Sequence, residues 1–192
     1  MLNLKTFVIT AAACVFISCA SSRSSTNTYT FKELSKQTQA TRINKILIVG
    51  SGGIGTRFFL DNISEELKRK FKDVSVETGY EFLGYKQDIT RQLNSLVSTG
   101  GFDAVLQFTP LNDAENPIVI DKYEGLSPNP AYTIQKKSVR FTQDFMVSLF
   151  KKNNSAQLLW KASLNTNFDS RQDKFYTRIA DDVLNHLQEI YK

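Results

Sequence analysis

A regular alternation of strand and helix patterns over residues 45–108 limits the folds open to this chain. The run Ile46-Leu47-Ile48-Val49, which ends at Gly50, is compact, apolar and rich in β-branched residues. Such a run is typical of a central strand that is buried on both faces of an α/β sheet. The residues after it predict an amphipathic helix, because large apolar residues recur every four positions: Phe59, Ile63, Leu67 and Phe71.

The same alternation is repeated once more. Residues 74–82 predict a second strand, and residues 103–108 predict a third. Between them, Ile89, Leu93 and Val97 indicate a second amphipathic helix, which Gly100 and Gly101 would end. Two consecutive strand-helix-strand units imply parallel strands with right-handed crossovers, and this topology puts the first strand between the other two.

The pattern changes after residue 110. Residues 111–138 predict a long irregular segment, with a short strand at residues 118–120. Apolar residues then alternate with polar ones over residues 139–149 and again over residues 158–164, which is typical of an antiparallel hairpin. A closing amphipathic helix is predicted from Phe175, Ile179, Val183, Leu187 and Ile190. The sequence therefore predicts an α/β fold, with a three-stranded parallel core extended by an antiparallel hairpin and a C-terminal amphipathic helix.

The first 44 residues do not follow these patterns. After Lys5, residues 6–18 are uncharged and mostly apolar, a segment too short to span a bilayer but of the right length for the core of a signal peptide. Residues 20–44 are rich in Ser, Thr, Asn and Gln, which favours a flexible tether. We predict a signal peptide at residues 1–18, a tether at residues 19–44 and one domain at residues 45–192.

The end of the signal segment is specific. Phe16-Ile17-Ser18-Cys19 resembles the lipobox of bacterial lipoprotein precursors. The resemblance implies cleavage between Ser18 and Cys19, with acylation of the Cys19 thiol by diacylglycerol and palmitate. The alternative is an ordinary secretory signal in which Cys19 occurs by chance.

Several segments of the domain share a second resemblance. Their patterning is similar to that of the small α/β lipoproteins of Gram-negative envelopes, many of which have no assigned activity: residues 45–49, 63–67, 102–108, 145–150 and 157–162. Ala20 after the cysteine resembles lipoproteins that are sent to the outer membrane. Residues 21–25 lack the acidic cluster associated with surface display. This resemblance implies a protein of the outer membrane that faces the periplasm.

Few residues offer catalytic chemistry. Cys14 would leave with the signal peptide and Cys19 would carry the lipid, so the mature domain has no free thiol. The chain has a single histidine, His186, whereas a zinc site built from imidazoles needs several. Trp160 lies in an alternating strand, which favours the core over a sugar platform. Asp173, Asp181 and Asp182 could suggest carboxylate chemistry. Asp181, Asp182 and Glu189, however, lie between the apolar positions of the closing helix, where acids are usually solvated. We expect no catalytic residue, no metal and no cofactor.

One glycine motif keeps an alternative open. Gly50, Gly52 and Gly55 satisfy G-x-G-x-x-G between a predicted strand and a predicted helix, and Glu77 would be the acid that binds a ribose. The bulky Phe59 argues against a dinucleotide, as does the hairpin that replaces the second half of a dinucleotide domain. The glycines would then serve a tight turn. A third hypothesis is that the backbone amides of this turn bind an anion.

Charge and compartment restrict the partners. The formal charge of +5 is dispersed among acids, which favours a solvated surface; attraction to anionic lipid headgroups is the alternative. An exported protein would not meet nucleic acid. We therefore expect a non-enzymatic binding or assembly module held at the membrane by its lipid, with an envelope protein or a second copy as partner. The irregular segment 111–138 is the predicted contact surface.

Overall fold

The computed structural model describes residues 27–37, 42–85, 89–112, 118–123, 135–152, 157–169 and 173–190. Within these residues lie seven strands and three helices. In chain order they are β1 (Thr28–Lys36), β2 (Lys45–Gly50), α1 (Ile54–Asp73), β3 (Glu77–Phe82), α2 (Ile89–Gly100), β4 (Ala104–Pro110), β5 (Ile118–Tyr123), β6 (Gln135–Lys151), β7 (Gln157–Asp169) and α3 (Asp173–Leu187).

All seven strands belong to one mixed sheet. Six of them follow the order β1-β7-β6-β4-β2-β3, and β5 pairs with β6. The pairs β2–β3 and β2–β4 are parallel, so the first strand of the alternating region does lie between the other two. All other pairs are antiparallel. The prediction of an α/β fold is confirmed, but the parallel strands make up less than half of the sheet.

Helices cover both faces of β2. Ile46 and Ile48 point to one face and join the main core, to which α1 contributes Phe59, Ile63, Leu67 and Phe71. The apolar stripe of α3 is buried in the same core. Leu47 and Val49 point to the other face and pack with Val97 of α2. The continuous apolar run at residues 46–49 is thus explained by burial on both sides.

The tether predicted for residues 19–44 is too long. Residues 28–36 form the edge strand β1, which pairs with β7 from Thr28↔Asn167 to Lys36↔Trp160. Tyr29 and Phe31 pack against the main core, and this burial fixes the strand in place. Residues 28–36 therefore belong to the folded domain rather than to a tether, and the domain extends further towards the N-terminus than residue 45. Ser18 and Cys19 lie outside the described residues.

The second predicted strand starts later than expected. Helix α1 continues to Asp73, and residues 74–76 form a turn in which the amide of Val76 donates to the carbonyl of Phe71 at 2.9 Å. Ser75 adopts a φ of 62°, a left-handed conformation that ends the helix. Strand β3 therefore starts at Glu77 rather than near residue 74.

The predicted hairpin is present as β6 and β7. Phe145, Val147 and Leu149 of β6 are buried, as their alternation predicts. In β7 the alternation is interrupted, because the pairing register shifts between Leu149 and Phe150. As a result both Leu159 and Trp160 are buried, whereas Leu158 is only half-buried.

Candidate functional site

The ends of the parallel strands form the edge where a site is expected in this fold. Parallel pairing places Gly50 opposite both Phe82 and Phe108, so β2, β3 and β4 finish side by side. Helices α1 and α2 leave this edge on opposite faces of the sheet. Ligands of open α/β sheets bind at such an edge, where the strand order reverses. We call this region, with the turns that follow the three strands, the carboxyl edge.

The glycines at this edge are explained by the turn itself. Gly52 has a φ of 137°, which favours glycine, and a Cβ there would lie 2.7 Å from Thr56 Oγ1. A Cβ on Gly50 would lie 2.0 Å from Leu60 Cδ1. The amide of Gly52 donates to the carbonyl of Gly84 at 3.2 Å, which joins the turn after β2 to the turn after β3. Both glycines therefore have a structural reason to be present without any ligand.

Residues of β4 and β6 contact the first turn of α1. Its N-cap residue is Gly53, which has no side-chain cap, and the first turn contains no acidic residue. Thr56 Oγ1 is buried and accepts a hydrogen bond of 2.5 Å from the side-chain amide of Gln143 on β6. Pro110, at the end of β4, approaches the turn so closely that a Cβ on Gly52 would lie 3.2 Å from its Cγ.

Glu77 is not part of this edge. It pairs with Lys45 at the start of β2, whereas Gly50 ends the same strand. Five residues of strand separate the two ends, a distance of about 16 Å at ~3.3 Å per residue. Glu77 is exposed, lies 3.9 Å from Lys45 Nζ and lines a shallow cleft with Lys68 and Lys72. The proposed set Gly50, Gly52, Gly55 and Glu77 is not brought together, because β3 starts at Glu77 instead of ending near it.

The acids of α3 make structural contacts. Asp182 accepts a hydrogen bond from the Tyr29 hydroxyl at 2.7 Å, which ties α3 to β1. Asp181 forms an ion pair with Lys70 of α1. Burial raises the pKa of Tyr29 to about 12, and the hydrogen bond to Asp182 adds to this effect. Asp181 therefore links α3 to α1, and Asp182 links α3 to the sheet.

Trp160 and His186 meet at a second structural contact. Trp160 is fully buried, as predicted for a core residue, and its Nε1 donates to Glu33 Oε2 at 3.0 Å. The same oxygen lies 2.8 Å from His186 Nδ1. Phe31 stacks on Trp160 with a ring-centroid distance of 5.8 Å. One carboxylate of β1 therefore links β7 to α3.

Sequence reasoning missed a group of exposed apolar side chains. Of the five large hydrophobic side chains that are exposed in the described residues, four follow the ends of the parallel strands: Ile54, Phe58, Tyr85 and Leu111. Ile54 and Phe58 start α1, Tyr85 follows β3 and Leu111 follows β4. The sequence signal was the pair Phe58-Phe59, of which only Phe59 belongs to the buried stripe. The fifth side chain, Leu34, lies on β1.

The folded chain also begins at this edge. Strand β4 runs antiparallel to β6, β6 to β7 and β7 to β1, so the start of β1 lies at the same end as the finish of β4. The side chain of Asn27 accepts from the Asp169 amide at 2.8 Å and donates to the Asp169 carbonyl at 3.2 Å. Phe168 stacks on Phe141 at 5.4 Å, and Phe141 lies 6.0 Å from Phe58. Asn27 therefore lies at the same end of the sheet as the exposed apolar group.

Among the described residues, no helix is both long and apolar enough to cross a membrane. The part of the chain that the structure describes contains no cluster of three or more His, Cys, Asp or Glu residues placed to hold a metal ion.

The sheet with helices on both faces makes this a protein of the mixed α/β class. No protein-family model matches the chain, and no curated protein matches it. Among solved structures, it is similar to the PelC dodecamer from Paraburkholderia phytofirmans, with a TM-score of 0.48, 11% identity and coverage of 86% of this chain and 99% of that one. A PDZ domain protein from Parabacteroides distasonis gives a TM-score of 0.35 at 11% identity, over 96% of this chain and 40% of that one.

Proposed function

We propose that the chain is a lipid-anchored protein of the cell envelope whose α/β domain is a non-enzymatic binding or assembly module facing the periplasm. The anchor is the acylated Cys19, with cleavage after Ser18. The support for the anchor lies in the sequence: the signal core, the small residue before the cysteine and the absence of any later cysteine.

The observation that carries the binding role is the apolar carboxyl edge. Ile54 is 65% exposed and Tyr85 is 63% exposed. Large apolar side chains gathered on one edge are typical of a surface that another molecule covers, and aromatic residues are enriched in such surfaces. The start of β1, which follows the proposed anchor in the chain, lies at the same end of the sheet.

The absence of catalysis is supported by the contacts of the polar residues. Asp181, Asp182 and His186, which are the candidates for acid-base chemistry on α3, each pair with another element of the fold. A dinucleotide site is less well supported than the sequence indicates. The acid Glu77 lies at the far end of the parallel strands, and the glycines are explained by local packing.

The anchor is tested by intact-mass analysis of the mature protein. We expect wild type to begin at Cys19 and to carry acyl mass on it, and the Cys19→Ala variant to lack that mass. A wild-type protein without acyl mass would show that the anchor is wrong.

The binding surface is tested by thiol accessibility. Phe58→Cys and Tyr85→Cys are expected to resist a water-soluble maleimide in native envelopes and to react after solubilisation. Leu34→Cys is a matched control, because Leu34 is 47% exposed and Phe58 is 46% exposed. It should react in both states. If Phe58→Cys and Tyr85→Cys react as readily as Leu34→Cys in envelopes, the edge is not a covered surface.

A further inference from the structure

We infer that the carboxyl edge docks on the lipid bilayer into which the chain's own anchor inserts. This inference rests on the proposed anchor at Cys19 and goes beyond it, because an anchor alone leaves the orientation of the domain open. In this orientation the exposed apolar side chains of Ile54, Phe58, Tyr85 and Leu111 contact a membrane surface.

The chain between the proposed anchor and the described domain is short. Asn27 is the first described residue and lies eight positions after Cys19. Eight residues reach at most about 28 Å when fully extended. The edge strand β1 is responsible for this short connection, since it takes residues 28–36 out of the predicted tether.

The sheet is longer than this connection. Thr28 pairs with Asn167, near the carboxyl edge, and Gln157 starts β7 at the opposite edge. The ten residues between Gln157 and Asn167 span about 33 Å at ~3.3 Å per residue. The connection is therefore shorter than the sheet, which disfavours orientations that turn the opposite edge towards the bilayer. The short connection favours the carboxyl edge or a flank as the surface that faces it.

Exposed apolar side chains distinguish the carboxyl edge from the flanks. Four exposed apolar side chains, two of them aromatic, lie there, whereas the flank formed by β1 exposes only Leu34 among the large hydrophobic residues described. Aromatic and aliphatic side chains beside arginine are typical of protein surfaces at the membrane interface. Arg57 is exposed between these side chains, with its guanidinium 5.9 Å from the Phe82 ring centroid.

Charge favours a bilayer over a second copy as the occupant. The chain carries a formal charge of +5, and loss of Lys5 with the predicted signal peptide leaves about +4 on the mature chain. Like charges disfavour association of two copies, whereas anionic headgroups attract a basic protein that is already tethered nearby.

The test uses the mature lipidated protein in vesicles of phosphatidylethanolamine and phosphatidylglycerol, with no other protein present. A nitrobenzoxadiazole label is attached to Phe58→Cys or Tyr85→Cys at the edge. The controls are Leu34→Cys, matched in exposure, and Glu77→Cys at the opposite edge. We expect blue-shifted emission at positions 58 and 85, with quenching by brominated lipids several-fold greater than at positions 34 and 77.

The outcomes separate this inference from the proposed function. Acyl mass on Cys19 with equal quenching at all four positions would overturn the orientation and leave the anchor standing. Absence of acyl mass would remove the anchor and the inference together. If positions 58 and 85 are protected in detergent micelles and the protein has the mass of a dimer, a second copy covers the edge and the inference is wrong. Protection of the edge in native envelopes without quenching in pure lipid would also overturn it.

Discussion

At the scale of single residues, the glycines of the turn after β2 have different roles. Gly52 is required by its backbone conformation, with a φ of 137°. Gly50 is required by close packing, because its Cα faces the fully buried Leu60. A G-x-G-x-x-G pattern can thus arise from the geometry of a strand-to-helix turn alone. Sequence spacing cannot distinguish this origin from phosphate binding.

Gly50→Ala tests this packing role. The new methyl group would overlap Leu60 Cδ1 and force it from a filled core, so we expect the free energy of unfolding to fall by about 1–3 kcal/mol. Urea unfolding of the purified domain measures it. Gly101→Asn is the control: Gly101 has a φ of 66° with no atom within 4 Å of an added Cβ, and asparagine tolerates that conformation. Equal stability of Gly50→Ala and wild type would contradict the packing role.

Ionisation of Tyr29 should lower the free energy of unfolding as the pH rises through the alkaline range. Its pKa is about 10 in the unfolded chain and about 12 in the folded one, mainly because it is buried and also because it donates to Asp182. As pH rises through this window the unfolded chain loses the proton first. The contribution of Tyr29 is therefore complete below pH 10 and is lost as pH approaches 12.

Tyr29→Phe should remove this part of the pH dependence. We expect the decline in the free energy of unfolding between pH 10 and 12 to be shallower in the variant than in wild type. Tyr80→Phe should also make this decline shallower, because burial and a hydrogen bond to Asp61 raise the pKa of Tyr80 in the folded state. Identical slopes for wild type and Tyr29→Phe would show that the hydroxyl is equally acidic in both states.

At the scale of elements, the sequence predicts those whose burial follows one simple period. The stripe of α1 and the apolar run of β2 are confirmed because each repeats a single spacing over its whole length. Strand β1 was missed because only Tyr29 and Phe31 of it pack on the core, and its remaining residues are polar except for the exposed Leu34. Its partner β7 lies more than 120 positions away in the chain, so no local pattern announces the pairing.

The distance between Glu77 and the glycines does not depend on where β3 starts. The predicted strand at residues 74–82 and the observed β3 both end at Phe82, so Glu77 lies five residues before the strand end in either case. The exposed apolar group at the carboxyl edge could not be predicted from the sequence, because exposure of Ile54 and Tyr85 depends on what the remote strands leave uncovered. Periodicity reports the buried face of an element and is silent on its other residues.

Phe31→Ala tests whether β1 is part of the domain. Phe31 is half-buried against Trp160, so we expect a loss of about 1–3 kcal/mol in the free energy of unfolding. Leu34→Ala on the same strand is the matched control and should change it by less than about 0.5 kcal/mol, because Leu34 is exposed. If both variants are as stable as wild type, residues 28–36 behave as tether.

At the scale of the whole molecule, anchor, edge strand and apolar group lie at one end. The antiparallel path from β4 through β6 and β7 to β1 brings the start of the folded chain back to the ends of the parallel strands. An even number of antiparallel steps would have placed it at the other end. The topology of the sheet therefore sets which edge the short N-terminal segment holds near a membrane.

Replacing two edge residues separates orientation from anchoring. Ile54→Ser with Leu111→Ser removes apolar side chains that are 65% and 55% exposed, so folding should be unchanged. Each side chain would contribute about 1 kcal/mol when covered by lipid, and a loss of about 2 kcal/mol shifts the docked population roughly thirtyfold. We expect a label at Tyr85→Cys to lose most of its quenching by brominated lipids, while the acyl mass and membrane fractionation stay as in wild type.

The control for this double variant is Leu34→Ser with the same label at Tyr85→Cys. Leu34 is a comparable exposed side chain on β1, about six residues or ~20 Å of strand from Thr28, so its loss should leave the quenching unchanged. If the double variant keeps wild-type quenching, the apolar edge does not hold the domain on the bilayer. If the double variant leaves the membrane altogether, the edge rather than Cys19 supplies the attachment, and the lipid anchor has to be abandoned.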